Sequence, residues 1–308
     1  MGDELEIRLM LTHSIVVTTK DRPVMLRRAV GSALAALAPG GEVLVVDDHS
    51  AVPASVALSD LSDERLRFCV NAERVTGVSA TRNTGLTAAR GEVVFFLDDD
   101  DEFLPGYCAK VLSKGARLGD YGFSSYMESK PGSSGALTRS TVRFAEGLIP
   151  RDAPLRRQLC GFGMGFWIRR EVALKIGPVS TDLTMNEDTE YLCRLITAGL
   201  KGWYSAEPGV VVHSHDAGRS EAYHITKRTS PAERARCMRL LCERYPQMVA
   251  HLGSGYIRHC LKSGLVSDAW RFAELQPDWR VRSQLKMVLA ARYLGYAMTR
   301  RLSVKQAS

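Results

Sequence analysis

The 308-residue sequence is missing the marks of several protein classes. Its seven cysteines (Cys69, Cys108, Cys160, Cys193, Cys237, Cys242 and Cys260) are odd in number and scattered. They contain no C-x-x-C pair of the kind used for zinc or redox chemistry, so a reducing cytoplasm is the expected setting. No apolar run reaches the roughly 18 residues of a membrane span. The opening MGDELEIRLMLTHS carries acids where a secretory leader needs bases, and its apolar stretch is short and interrupted. No G-x-G-x-x-G follows the first strand-like run and no G-x-x-x-x-G-K-[ST] occurs, which removes the main support for a Rossmann dinucleotide site or a P-loop. Hydrophobic content of 45% and charged content of 24% are ordinary for a folded soluble chain with a sizeable core.

Charge is abundant but uneven. The net charge is +7, yet residues 1–222 hold 25 Lys and Arg against 29 Asp and Glu, whereas residues 223–308 hold 16 against 5. The asymmetry predicts a boundary near Ala222, with a basic second part that seeks an anionic surface. That part reads as helices at about 231–245, 249–263, 267–274 and 281–301. Around MVLAARYLGYAM (287–298) apolar residues dominate, flanked by Arg280, Arg282, Lys286, Arg300, Arg301 and Lys305. Such a helix suits either an anionic membrane interface or a core position with solvated ends. Nucleic acid is disfavoured, because no aromatic stacking platform interleaves the bases.

The first part alternates strand and helix. SIVVT (14–18), a helix over 24–38 closed by Pro39-Gly40-Gly41, and EVLVV (42–46) form a βαβ unit, implying parallel strands. RLRFCV (65–70), a helix over about 79–89 and the strand 93–97 repeat it. Strands near 121–128, 166–169 and 203–213 and helices over 169–176 and 186–198 complete the reading. The apolar runs do not alternate, as expected of strands covered on both faces. An open α/β sheet binds its ligand beyond the carboxyl ends of its strands. There the first strand leads to Thr18 and Asp21, the second to Asp47 and Asp48, and the fourth to Asp98, Asp99, Asp100 and Asp101.

Four adjacent carboxylates repel one another unless solvent, hydrogen bonds or a cation compensates. A solvated turn with Asp101 capping a helix started by Pro105 is one reading. A divalent-cation grip is the other: Asp98 and Asp100 lie two apart and so point the same way in extended backbone. Mg²⁺ or Mn²⁺ needs only one or two carboxylates when a diphosphate supplies the remaining oxygens.

Taken in order, VVTTKDRP, EVLVVDDHS, GVSATRNTGLTAARGEVVFFLDDDDEFLP and NEDTEYLCRL resemble the family 2 inverting glycosyltransferases of bacterial surface-polysaccharide type, over roughly residues 14–220. The resemblance implies an α/β chain with the GT-A fold: a mixed, mainly parallel sheet over residues 1–222, followed by a helical extension at 223–308. It implies a nucleotide-sugar donor, most simply a UDP-sugar, and transfer to a hydroxyl of a glycan or lipid-linked acceptor with a Mn²⁺ or Mg²⁺ cofactor.

By the same resemblance, Thr18, Asp21, Asp47, Asp48 and Arg82 border the nucleotide, with Asn83 in support. Asp98 contacts ribose or metal and Asp100 ligates the metal. Asp99 and Asp101 stay in reserve, because a register slip of one residue would exchange them. Asp188 is the expected catalytic base and Glu187 its orienting neighbour, although acids at a helix start also serve as plain caps. His215 is a candidate metal or diphosphate ligand, and Trp167 either lines the acceptor pocket or is buried core. A binding module without catalysis would not need the Glu187-Asp188 pair. A nucleotidyltransferase would carry a glycine-rich basic loop where VVTTKDRP stands. The expected location is cytoplasmic, on or near the inner face of the membrane.

Overall fold

The computed structural model describes residues 12–132, 135–214 and 229–305, with side chains up to Tyr293 in the last helix. The expectations for the amino-terminal stretch and for His215 lie outside these residues. Contacts divide the chain into two units, residues 1–181 with 187–219 and residues 182–186 with 220–308.

The first unit is built on one mixed sheet with the strand order third, second, first, fourth, ninth, sixth, tenth and fifth in chain numbering; β7 (Leu137–Arg139) pairs with the sixth strand and β8 (Gly147–Leu148) with the tenth. β1 (His13–Thr19), β2 (Gly41–Asp47), β3 (Leu66–Val70) and β4 (Val93–Asp98) run parallel. β6 (Tyr121–Ser129) and β10 (Gly202–His213) form a second parallel pair. β9 (Trp167–Arg169) joins the two groups, antiparallel to both β4 and β6. Helix α1 (Pro23–Ala36) crosses from β1 to β2, α2 (Val78–Ala88) runs from β3 to β4, and α3 (Glu187–Thr197) precedes β10.

β-Branched and aromatic residues make these strands, and burial on both faces explains why they do not alternate with polar ones. Ile15, Val17, Val43, Val45 and Phe95 join the core that contains Leu26 and Val30 of α1. Val16, Leu44, Val46 and Phe96 face the opposite core with Leu86, Phe166 and Tyr191. Helix α2 presses close to the sheet at Gly85, where a Cβ would lie 2.3 Å from Val16 Cγ1. The glycine of SATRNTG is thus a packing requirement.

Two open readings are decided, and one strand is added. Trp167 is fully buried in the core beside Trp203, so it does not line a pocket. Asp101 caps no helix: its carboxylate accepts the His213 backbone N–H at 3.0 Å, and the next helix starts only at Tyr107, after the left-handed Gly106. Between them β5 (Glu102–Phe103) pairs antiparallel with Val210 and Val211, a two-residue strand too short for any periodicity to reveal.

The second unit contains α4 (Pro231–Arg244), α5 (Val249–Lys262), α6 (Val266–Glu274) and α7 (Trp279–Lys305). Ser230 starts α4 by accepting the Glu233 N–H at 3.1 Å with Pro231 next to it, the S-x-x-E cap signature. Cys237, Leu241, Leu252, Ile257, Leu285 and Leu289 form its buried interior. Among the described residues no helix is long and apolar enough to cross a membrane.

Candidate active site

The strand register assembles the site. Thr18 pairs with Asp98 across β1 and β4, and Thr19 with Asp47 across β1 and β2, so three acid-bearing strand ends share one rim. The loops beyond them are tied together. Asp21 N–H donates to Ser50 Oγ at 2.8 Å, and the Asp21 carboxylate accepts the Ala51 N–H at 2.7 Å. Asp21 (φ 55°), His49 (φ 60°) and Asn186 (φ 64°) are the left-handed non-glycine residues among those described. All three border strand ends or the start of α3, and strain of this kind concentrates at functional sites.

The two acids after β2 differ in what they hold. Asp47 spends both oxygens on the turn that follows, accepting the Ser50 and Ala54 N–H groups at 2.8 Å each. Asp48 accepts from Asn71 Nδ2 at 2.8 Å, the Gly77 N–H at 3.0 Å and Lys20 Nζ at 3.2 Å. Asn71, one residue beyond β3, also accepts from Thr84 and the Glu73 N–H. The third strand end therefore contributes a buried polar anchor that the sequence reading passed over. Its signal was positional, because Asn71 follows β3 as Asp48 follows β2.

The four aspartates sort by burial. Asp99 and Asp101 are buried, whereas Asp98 and Asp100 keep 32% and 20% of their side-chain surface open. A turn beyond β4, closed by the Asp101 N–H donating to the Asp98 carbonyl at 3.1 Å, thus buries one pair and leaves the other partly open. Asp99 is bonded by Thr19 Oγ1 at 2.7 Å and Arg22 at 2.9 Å, and Arg22 also lies 3.4 Å from Asp100. Burial pushes the Asp99 carboxyl up to about 6 against the pull of Arg22. Burial and then the charges of Asp98 and Asp100 push Asp101 up to about 9.

Arg82 connects this cluster to α3. Its guanidinium is buried, donating to Asp98 Oδ1 at 2.8 Å and Glu187 Oε1 at 3.0 Å, and lies over the Phe162 ring at 4.5 Å. Burial opposes its charge, but Asp98, Glu187 and Asp188 together raise its pKa and keep it protonated. Asn83, next to it, exchanges hydrogen bonds with the backbone of Val179, in the segment that precedes α3, at 2.8 and 3.0 Å. Asp188 Oδ1 accepts the Thr189 N–H at 2.5 Å, and Oδ2 faces Gly161, where a Cβ would sit 3.3 Å away. Burial first, and the Glu187 charge second, push the Asp188 carboxyl up to about 7. That is the range in which a carboxylate serves as a general base near neutral pH.

A divalent cation has a fitting donor set here. Asp98 and Asp100 are partly exposed carboxylates, each with one oxygen toward an arginine, and Gly163 leaves room beside the first: its Cβ would stand 3.2 Å from Asp98 Oδ2 and 3.0 Å from Asp101 Oδ2. Among the described residues no group of three or more His, Cys, Asp or Glu side chains is arranged to hold a metal ion by itself. A cation would accordingly share its coordination with an oxygen-rich ligand, as hard cations commonly do with phosphates.

Comparison with known proteins bears on the family and the fold. Residues 14–176 match the model of "Glycosyl transferase family 2". Over 103 residues the chain is 34% identical to the GalNAc(5)-diNAcBac-PP-undecaprenol beta-1,3-glucosyltransferase of Campylobacter jejuni, covering 33% of each chain. It is 27% identical over 190 residues to an uncharacterized glycosyltransferase of Haemophilus influenzae, covering 59% of this chain and 61% of that one. The chain thus spans between a third and three fifths of these relatives. In fold it is similar to TarS 1-349 of S. aureus in complex with UDP-GlcNAc, with a TM-score of 0.65 at 15% identity, covering 95% of this chain and 92% of that one.

Proposed function

Because the chain belongs to glycosyl transferase family 2, we propose that it moves a sugar from a UDP-sugar to a hydroxyl of a lipid-linked glycan, with inversion at the anomeric carbon. The donor assignment leans on the UDP-GlcNAc bound by the TarS structure. The acceptor assignment leans on the PP-undecaprenol in the name of the Campylobacter relative. The observation that carries the reading is Arg82, which ties the open aspartate Asp98 to the acidic start of α3 and so couples a donor rim to a candidate base.

In the proposed reaction Asp188 takes the proton of the acceptor hydroxyl as that oxygen attacks the anomeric carbon, and the bond to the nucleoside diphosphate breaks on the opposite face. Glu187, held by Arg82, keeps the start of α3 in register with the donor. Asp48, Thr18 and the loop of Asp21 border the nucleoside. Asp98 and Asp100 would hold Mn²⁺ or Mg²⁺, which supplies charge neutralisation for the departing diphosphate. Single displacement needs no covalent enzyme intermediate.

The reading extends to location. A cytoplasmic enzyme working on a lipid-linked acceptor would sit against the membrane face, and the second unit offers surface for this. Leu275, Trp279 and Met287 are 70%, 67% and 67% exposed, Trp270 is 41% exposed, and Arg280 lies over the Trp279 ring. Amphipathic aromatics with nearby bases suit an anionic lipid interface. Flotation with anionic but not neutral liposomes is the expected result, and indifference to both removes this part of the proposal. For the chemistry, thermal-shift measurements with UDP-GlcNAc, UDP-Glc and UDP-Gal, each with Mn²⁺ or a chelator, are the direct test. Stabilisation by one donor only when metal is present supports the reading, and no response to any donor refutes it.

A further inference from the structure

Arg143 lies in the segment between β7 (Leu137–Arg139) and β8 (Gly147–Leu148) and is partly buried. Its backbone N–H donates to Tyr204 Oη at 3.1 Å. Its guanidinium donates to the Leu159 carbonyl and lies 3.6 Å from Met164 Sδ, over the Phe123 ring at 5.6 Å. The other arginines at the rim have acids: Arg22 has Asp99, Arg28 has Glu102, and Arg82 has Asp98 and Glu187. Arg143 has only a carbonyl, a thioether and a ring, with no carboxylate among the described residues. A partly desolvated guanidinium without counter-charge costs free energy that an arriving anion recovers.

Its position connects it to the base. Met164 Sδ accepts the Gly161 N–H at 3.4 Å, and Gly161 faces Asp188 Oδ2. Cys160, between them, feels the charges of both Arg143 and Asp188. The chain therefore runs from Asp188 through the Gly161–Met164 turn to Arg143, all within the first unit. Beside Arg143, Phe144 supports the guanidinium of Arg157 at 4.8 Å, and Arg156 and Arg157 are both exposed with no carboxylate partner among the described residues.

We propose that Arg143, with Arg157 at its rim, is an anion subsite for the acceptor, so that the hydroxyl presented to Asp188 belongs to a molecule carrying a phosphate ester. Planar guanidinium matches phosphate oxygens in a bidentate geometry that lysine does not reproduce. This rests on the transfer reaction proposed above, and its test separates the two. Calorimetric titration of the UDP-loaded, Mg²⁺-containing protein with octyl phosphate and with glycerol 3-phosphate measures the subsite, while UDP titration measures the donor site.

Arg143→Met is expected to weaken phosphate-ester binding by about tenfold or more, the worth of one charge-assisted contact, with UDP affinity and melting temperature unchanged. Arg143→Lys should fall between the two. Tighter binding of octyl phosphate assigns the anion to a lipid-linked acceptor, and tighter binding of glycerol 3-phosphate to a phosphate-bearing polymer; either order supports the subsite. The proposal is overturned if neither ester binds, if Arg143→Met leaves ester binding intact, or if it weakens UDP equally, which would make Arg143 a donor-diphosphate ligand. Failure of the wild-type protein to bind UDP refutes the donor assignment instead.

Discussion

Replacing Asp188 by Asn should disable the protein and stabilise it at the same time. The folded Asp188 carboxyl is raised from 3.8 to about 7, so between those values the unfolded chain has lost a proton that the folded chain keeps. Folding stability therefore falls as pH rises through this window, and above about pH 7 the cost stays constant. At about 1.4 kcal/mol per pKa unit the full shift corresponds to ~4 kcal/mol, and partial exposure with the shared charge of Glu187 reduces this to roughly 2–4 kcal/mol. Asn keeps the oxygen that accepts the Thr189 N–H and carries no charge to desolvate. In chelator, the variant should melt at the same temperature as the parent near pH 4 and several degrees higher at pH 8, about 2–4 °C per kcal/mol for a chain of this size. Transfer should drop by about 10²–10⁴-fold, the usual worth of a general base, and the parent's rate should rise with pH through about 7. Scanning fluorimetry from pH 4 to 8.5 with a sugar-transfer assay makes the measurement. A variant less stable than the parent at pH 8, or an offset that does not change with pH, refutes the argument that Asp188 is held above its ordinary range; full transfer by the variant refutes its role as base.

Three further outcomes follow from the same geometry. Arg82→Met leaves Asp98 and Glu187 without their buried partner and should cost about 3–5 kcal/mol in urea unfolding; a loss below about 1 kcal/mol contradicts the bridging role. Asp100→Ala should abolish the metal-dependent part of UDP-sugar binding while leaving the melting temperature of the free protein within a few degrees, and unchanged metal dependence in isothermal titration rejects Asp100 as a ligand. Gly163→Ala sets a methyl against Asp98 and Asp101 and should weaken Mn²⁺-dependent donor binding; a donor titration identical to the parent's would mean that the space before Gly163 is not used.

Much of the first unit was legible because its signals are local. Runs such as SIVVT and EVLVV, and the helix between them closed by Pro39-Gly40-Gly41, need no distant information, and the helix of NEDTEYLCRL declares itself by apolar spacing and acids in its first turn. What escaped depends on partners far away in sequence. The inward direction of Asp101 is set by the backbone of His213 and not by a helix cap. Asp47 stands in sequence only as the neighbour of Asp48, and the turn it ties is visible only in the fold. Arg22, Asn71 and Arg143 take their places from contacts that cross the sheet or span loops, and arginines in loops carry no periodicity. The four aspartates cannot be told apart in sequence because identical residues offer no contrast; burial sorts them into two pairs.

The span of Arg82 bears on how the molecule is made. Its guanidinium reaches Asp98 early in the chain but Glu187 only 105 residues later, and Asp101 finds the His213 backbone across 112 residues. At about 5–20 residues per second on the ribosome, roughly 6–22 s separate the appearance of Asp101 from that of the His213 N–H it accepts. During that interval the nascent chain holds an acidic strand end with one side open, and the β5–β10 pairing that shuts it cannot form. A truncated chain ending before α3 should therefore remain a client of chaperones even though its first four parallel strands, β1 to β4, are complete.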